Sequence, residues 1–142
     1  MNRRNRVLLR VIAPLSLMVV IFILSGQPGG GDHPWWDVVL RKLGHVSGYA
    51  ALTALWWWAL RGVATRPLLF AVAISFAYAC ADEFHQTFVD GRSGTPVDVV
   101  IDAVGIAFAA SIIRLRRFTP GQRGQRDAVQ RERTRSIPVR SP

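Results

Sequence analysis

Apolar residues are gathered into four blocks that short polar connections separate. The blocks run from about Val7 to Leu24, from Leu43 to Leu60, from Pro67 to Ala81 and from Val97 to Ile113. A helix needs about 20 mostly apolar residues to cross the hydrocarbon core of a bilayer. The third block reaches that length only if it continues through Phe84 to Phe88, and the fourth contains Asp98 and Asp102. The pattern predicts an all-α, polytopic integral membrane protein, a bundle of about four transmembrane helices.

The first block has a second interpretation, a cleaved signal peptide, because Arg3, Arg4 and Arg6 precede it. The segment that follows, Ser25 to Pro28, has no small-x-small cleavage site. The block is also long for the apolar region of a signal peptide. We therefore expect it to be retained as a transmembrane helix.

Composition favours a membrane protein over a soluble one. Only 19% of the 142 residues are charged and 50% are hydrophobic, whereas about 25% of the residues of a soluble domain are charged. A net charge of +9 would also suit nucleic acid, but the cations lie mostly between the apolar blocks and at the two ends of the chain. We expect the lipid bilayer, and no nucleic acid, as a partner, and the oligomeric state stays open.

The distribution of Arg and Lys predicts the orientation, since short cytoplasmic loops are enriched in both. With four spans, Arg61 and Arg66 share one side with the basic N-terminus and the Arg-rich C-terminus, and the other side holds only Arg41, Lys42 and Arg92. This predicts a multi-pass protein of the cell membrane with both termini cytoplasmic.

The predicted topology divides the chain into three parts. A polar, Arg-rich tail with few apolar residues is expected to be disordered and to attract anionic lipids. The expected parts are a basic cytoplasmic N-terminus at 1–6, a transmembrane domain at 7–115 and a disordered cytoplasmic tail at 116–142.

Polar side chains recur at helical spacing on three of the predicted spans. The sets are Lys42, His45 and Tyr49 on the second span, Tyr78, Asp82 and Gln86 on the third, and Asp98 and Asp102 on the fourth. Residues three or four apart share one face of a helix, and ionisable groups within a membrane usually face a protein interior or a watery cavity. Because the topology puts all three sets at the outward end, we expect them to meet inside the bundle.

Some of these residues have purely structural explanations. Thr95 before Pro96 is typical of a helix start, and Asp98 then lies at the capping position. Lys42 can extend along the helix to the headgroups. The two glycines after Asp90 are typical of an ordinary turn.

Other residues are harder to explain by packing alone. Asp82 or Glu83 can pair with Arg92 to hold the connection between the third and fourth spans. Asp102 lies more than one turn inside its span and needs a partner there, for which His45, Lys42 and Arg92 are the candidates.

At these residues the chain resembles the VanZ-like family of membrane proteins. That family carries a Lys-x-x-His-x-x-x-Tyr element, then Asp-Glu-x-x-Gln-x-Phe-x-Pro-Gly-Arg, then a trailing Asp and a further Asn or Asp before a Gly. The matching residues are Lys42, His45, Tyr49, Asp82, Glu83, Gln86, Phe88, Gly91, Arg92, Asp98, Asp102 and Gly105.

The resemblance covers about residues 7 to 115, with two departures. Arg41 stands where the family commonly has Asp, and Asp90 where it has Pro. The resemblance implies a small multi-span membrane protein, and the family is named for a member linked to resistance to teicoplanin, a glycopeptide that binds cell-wall precursors. A cell-wall precursor or a glycopeptide is therefore an expected partner.

Three functions stay open at this stage. The first is an envelope protein that binds an anionic or peptidoglycan-related ligand, with the candidate contacts Lys42, Tyr49, Gln86, Arg92, Asp98 and Asp102. The second is a membrane-embedded enzyme with Glu83 or Asp82 as general base, and with His45 or His85 as acid. The third is translocation of a proton or a solute through Asp102, His45 and Tyr49. We expect no cofactor and no metal, and a metal site of His45, His85, Glu83 and Asp98 is a disfavoured variant of the enzyme.

Overall fold

The computed structural model of the chain describes residues 3–29, 35–92 and 94–118. These residues form four α-helices and no strand, which confirms the all-α prediction. The helices are α1 (Arg3–Ser25), α2 (Trp35–Leu60), α3 (Pro67–Gln86) and α4 (Pro96–Phe118). The predicted disordered tail lies, from residue 119 onwards, outside the described residues.

The chain separates into two compact units, Met1–Ile112 and Ile113–Pro142. The first contains α1, α2, α3 and most of α4, and every residue discussed as a candidate site belongs to it. Of the second unit, only the last turns of α4 are described.

Within the described part of the chain, three helices are long and apolar enough to cross a membrane. They contain the candidate spans Leu8–Ser25, Pro67–Gln86 and Pro96–Arg117. α2 is long as well, but its first turns carry Asp37, Arg41 and Lys42 and its last turn carries three consecutive Trp residues. The apolar block that begins at Leu43 is therefore only the C-terminal part of α2, which begins at Trp35.

The third helix is also longer than its apolar block. It continues past Ala81 to Gln86 and so carries Asp82 and Glu83 on its last turns. The start of α4 agrees with the sequence, because Thr95 Oγ1 accepts a hydrogen bond from the Asp98 backbone N–H at 3.3 Å and Pro96 is the first helical residue.

Burial in this protein differs from that of a soluble domain, because polar side chains share the interior with an apolar core that includes Leu52 and Ile106. The fully buried side chains include Thr53, Ser75, Asp82 and Asp102, while large apolar side chains on all four helices are exposed. Monomeric soluble proteins rarely expose apolar patches on this scale. The exposed surface is therefore suited to lipid, and the polar groups are held inside.

Glycine allows α4 to approach α2 closely. A Cβ added to Gly105 would overlap the carbonyl oxygen of Val46 on α2. The close contact aligns the polar faces of the two helices, since Gly105 follows Asp98 and Asp102 on its helix and Val46 follows Lys42 and His45. Small residues of this kind let helix backbones approach closely in membranes.

Hydrogen bonds attach α3 to α1 at two levels. Tyr78 Oη donates to the backbone carbonyl of Met18 at 2.6 Å. Ser25 Oγ, at the last residue of α1, donates to Asp82 Oδ1. Both α1 and α3 therefore end at the place where α2 and α4 begin their polar faces, and we call this place the polar end.

Candidate functional site

The three polar faces predicted from spacing meet at the polar end. α2 and α4 are joined by two charged pairs: Lys42 Nζ lies 2.9 Å from Asp98 Oδ1, and His45 Nδ1 lies 3.0 Å from Asp102 Oδ1. Of the three candidate partners for the buried Asp102, the structure therefore selects His45. Tyr49, next on the same face, is buried against the rings of His45 and Tyr78, each with its centroid 6.3 Å away.

Gln86 connects the carboxylates of α3 to Arg92. Its Nε2 donates to Asp82 Oδ2 and to Glu83 Oε1, each at 3.2 Å. Its Oε1 accepts a hydrogen bond from Arg92 Nη1 at 3.1 Å. The direct pairing of Asp82 or Glu83 with Arg92 that we considered from the sequence is therefore replaced by a contact through the Gln86 amide.

Two contacts at this site were not foreseen from the sequence. Ser25 donates to Asp82 from the end of α1, and the Thr95 backbone N–H donates to Glu83 Oε2 at 3.2 Å. Nothing in the local pattern of either segment indicates these partners, because both pairs join residues on different elements. The Ser-x-Gln-Pro element of Ser25 was noted for resemblance alone.

A polar cavity of about 210 Å³ opens between α2, α3, α4 and the connection after α3. Three cations line it. Arg41 Nε lies 2.8 Å from Asp37 Oδ2 and Lys42 is paired with Asp98. Among the described residues the Arg92 side chain has no acidic partner, and it donates only to the neutral Gln86 amide.

The position of Arg92 is set by the segment after α1. The Gly29 backbone N–H donates to the Asp90 carbonyl at 3.0 Å, and a side chain at Gly29 would collide with Gly91 and with the Arg92 stem. Burial lowers the pKa of Arg92, and the nearby charge of Arg41 lowers it further. Asp82, Glu83 and Asp37 act on Arg92 in the opposite direction without reversing this shift of its pKa. Arg41 and Arg92 therefore line one cavity close enough to repel each other.

A second groove of about 350 Å³, lined by both apolar and polar side chains, lies between α1 and α2. Ile21 and Leu24 line its α1 side, and Gly44 and Gly48 leave space on its α2 side. Arg41, His45 and Arg92 line both this groove and the polar cavity. The two spaces are therefore adjacent, and the basic residues lie where they meet.

His45, Asp82 and Glu83 bring potential metal ligands close together within the described part of the chain. One ligand atom from each lies within 4.8 Å of the others. His85, which we considered for an acid or a metal ligand, is outside this group and its ring stacks on Phe22 with centroids 4.3 Å apart. Asp98 is outside it as well, in its pair with Lys42.

An all-helical bundle with an apolar surface and a buried polar cluster is the architecture of a helical integral membrane protein. The VanZ/LLP1 family model matches residues 9–117, most of the 142-residue chain, and the chain belongs to that family. Neither the curated proteins nor the solved structures contain a match. Every residue of the polar end that the sequence singled out lies within the matched range.

Proposed function

We propose that this chain is a multi-pass protein of the cell membrane that binds the anionic head of a lipid-linked molecule, of the class of cell-wall precursors. The binding site is the polar cavity, and the main contact is Arg92. The observation that carries the proposal is the position of Arg92, which has no acidic partner among the described residues and lies beside Arg41.

Electrostatics favour an anion at this position. Arg41 and Lys42 are each paired with a carboxylate, whereas the Arg92 side chain contacts only the Gln86 amide and keeps donors free for an anion. A guanidinium binds phosphate or carboxylate through two parallel hydrogen bonds. An anionic group next to Arg92 would also reduce the repulsion between Arg92 and Arg41.

The adjoining groove favours a ligand that carries an apolar chain. The groove between α1 and α2 is bounded by Ile21 and Leu24 and shares Arg41, His45 and Arg92 with the polar cavity. A phosphate or pyrophosphate head in the cavity would place its chain along this groove. A soluble anion would leave the groove without a role.

The charge distribution supports an outward-facing site. In the positive-inside arrangement both termini and the Arg61–Arg66 connection are cytoplasmic, which places the polar end at the outer surface. Lipid-linked cell-wall precursors are exposed there, as are glycopeptides that bind them. Altered susceptibility to a teicoplanin-type glycopeptide on expression of the chain is the cellular effect expected of such binding.

Direct binding tests the proposal. Purified full-length protein in nanodiscs is titrated with a long-chain prenyl pyrophosphate. Loss of a charged hydrogen-bond partner costs about 1.5–3 kcal/mol, so we expect Arg92→Ala to weaken binding roughly 10- to 100-fold. Arg92→Lys keeps the charge but not the paired geometry and should give an intermediate affinity.

Controls separate this site from general attraction to positive charge. Arg66→Ala removes an exposed Arg at the opposite end of α3 and should bind as the wild type does. The prenyl alcohol and inorganic pyrophosphate each lack one half of the ligand and should both bind weakly. Equal affinity of wild type and Arg92→Ala, or full competition by phosphatidylglycerol, would contradict the proposal.

A membrane-embedded hydrolase is the second candidate. It is favoured by the His45–Asp102 pair next to Asp82 and Glu83, which resembles the acid–base groups of hydrolytic sites. The same nanodiscs, incubated with the prenyl pyrophosphate, would release inorganic phosphate, and Glu83→Gln would abolish the release. Binding without release leaves the non-enzymatic function as the better description.

A further inference from the structure

Buried carboxylates outnumber the cations that contact them at the polar end. Asp82, Glu83 and Asp102 are 2%, 4% and 0% exposed. Among the described residues, the one cationic or potentially cationic side chain that hydrogen-bonds any of the three is His45, through Asp102. Buried carboxylates are stable only when they are paired, protonated or bound to a metal.

The geometry of three of these side chains fits a metal ion. One atom each from His45, Asp82 and Glu83 lies within 4.8 Å of the other two. Ligand atoms at about 2.0–2.2 Å from a zinc-type ion lie roughly 3–3.5 Å apart. Side-chain rotations that bring these atoms closer together by about 1.5 Å or less would therefore complete the coordination of an ion.

The hydrogen bond of His45 leaves one ring nitrogen for a ligand. Asp102 has only acceptors when ionised, so in the neutral imidazole of His45 the Nδ1–H donates to Asp102 Oδ1 at 3.0 Å. Nε2 then keeps its lone pair. Metal-binding His residues are held by just such a carboxylate, and the other oxygen of Asp102, Oδ2, is buried without a hydrogen-bond partner in the described chain.

The carboxylates are also held in place from their other sides. Asp82 accepts hydrogen bonds from Ser25 and Gln86, and Glu83 accepts them from Gln86 and the Thr95 backbone. Each carboxylate oxygen has two acceptor positions. One remains for a metal while the hydrogen bonds persist.

We propose that His45, Asp82 and Glu83 bind one divalent cation of the zinc or manganese class, with Asp102 as the residue that positions His45. A nitrogen with two carboxylate oxygens suits those ions better than Ca²⁺ or Mg²⁺, which prefer oxygen ligands alone. Two positive charges offset the excess of buried carboxylates. His45 and Glu83 also line the polar cavity, so open coordination positions face it.

Metal counting tests this without any lipid-linked ligand. Full-length protein in micelles is treated with a chelator, dialysed against Zn²⁺ or Mn²⁺, and analysed by elemental mass spectrometry. We expect one ion per chain, and at least a tenfold loss of affinity in Glu83→Gln and His45→Ala. Asp90→Asn removes an exposed acid from the connection after α3 and should bind as the wild type does.

Replacement of Asp102, which positions His45, should weaken metal binding without abolishing it. Loss of an outer partner of a metal-binding His lowers metal affinity about 10- to 100-fold, so Asp102→Asn should retain a weakened site. Electron spin-echo envelope modulation of bound Mn²⁺ in the wild type should detect coordination by the His45 nitrogen. This measurement needs no variant.

Two outcomes would overturn the metal site. One is wild-type protein with no stoichiometric Zn²⁺ or Mn²⁺, in which case protons balance the buried carboxylates. The other is bound Mn²⁺ without nitrogen coordination, or with unchanged affinity in a folded Glu83→Gln variant. Either failure leaves anion binding at Arg92 intact, since that is measured with a different ligand.

Discussion

Gln86 shows how much a single side chain contributes at the polar end. A protein amide has two N–H donors and one carbonyl acceptor, and here both kinds of group are used inside the structure. The donors face Asp82 and Glu83 and the acceptor faces Arg92. The amide therefore bridges two buried carboxylates and also contacts the cation to which we assign ligand binding.

Replacement of Gln86 should be costly for this reason. Gln86→Met keeps an unbranched side chain of similar size but removes every one of these hydrogen bonds. Leaving buried charged partners unsatisfied costs about 1–3 kcal/mol or more, so we expect the free energy of unfolding to fall by about 2–4 kcal/mol. Thermal or denaturant unfolding in mixed micelles measures the change.

Gln27→Met is the matched control. Gln27 is exposed, and its Nε2 donates to the backbone carbonyl of Ile23 alone. The same substitution there should change the stability by less than about 0.5 kcal/mol. If both variants lost a similar amount of stability, the buried hydrogen bonds of Gln86 would contribute no more to stability than the exposed one of Gln27.

At the scale of elements, the contact between α2 and α4 determines whether the polar faces meet. Gly105 lies directly against the Val46 backbone, and on the same two faces Lys42 pairs with Asp98 and His45 with Asp102. A side chain at position 105 would push the helices apart. The two charged pairs depend on this one close approach.

Two Gly→Ala substitutions test that dependence. They should change the free energy of unfolding in opposite directions. Gly105→Ala forces a Cβ into backbone atoms and should destabilise the protein by about 1–3 kcal/mol. Gly44→Ala, on α2, meets no atom within 4 Å and should stabilise the helix by about 0.5–1 kcal/mol. Unfolding in mixed micelles measures both, and a stabilising Gly105→Ala would refute the close contact.

At the scale of the whole molecule, the proposal requires the polar end to face outward. Single-cysteine labelling in spheroplasts tests it. The native Cys80 is exposed and is first replaced by Ser. Asp90→Cys should then react with a membrane-impermeant maleimide in intact spheroplasts, because it follows α3 at the polar end.

Arg66→Cys is the paired reporter for the opposite side, since it precedes α3. It should react only after the membrane is permeabilised. The reverse pattern would place the polar end in the cytoplasm, and the ligand would then have to be a lipid of the inner leaflet.

The sequence was sufficient for the fold class and for the faces that carry the polar residues. Apolar blocks of spanning length and residues spaced three or four apart are local properties of a helix. The start of α4 at Thr95 and Pro96 followed from local signals too. The lengths of α2 and α3 did not, because polar residues at a helix end are indistinguishable from a loop when apolar content alone is considered.

The partners within the site needed the tertiary structure. From spacing, Asp102 had three candidate partners, and the packing of Gly105 on Val46 places it beside His45. From the sequence, Arg92 could pair with Asp82 or Glu83 or bind a ligand, and in the structure its side chain contacts the Gln86 amide. The sequence alone determined an all-helical membrane protein of the VanZ/LLP1 family with three polar faces at one end. Tertiary structure decided which charges are paired with a carboxylate and which are not, because that depends on distances of a few ångströms between residues far apart in the chain.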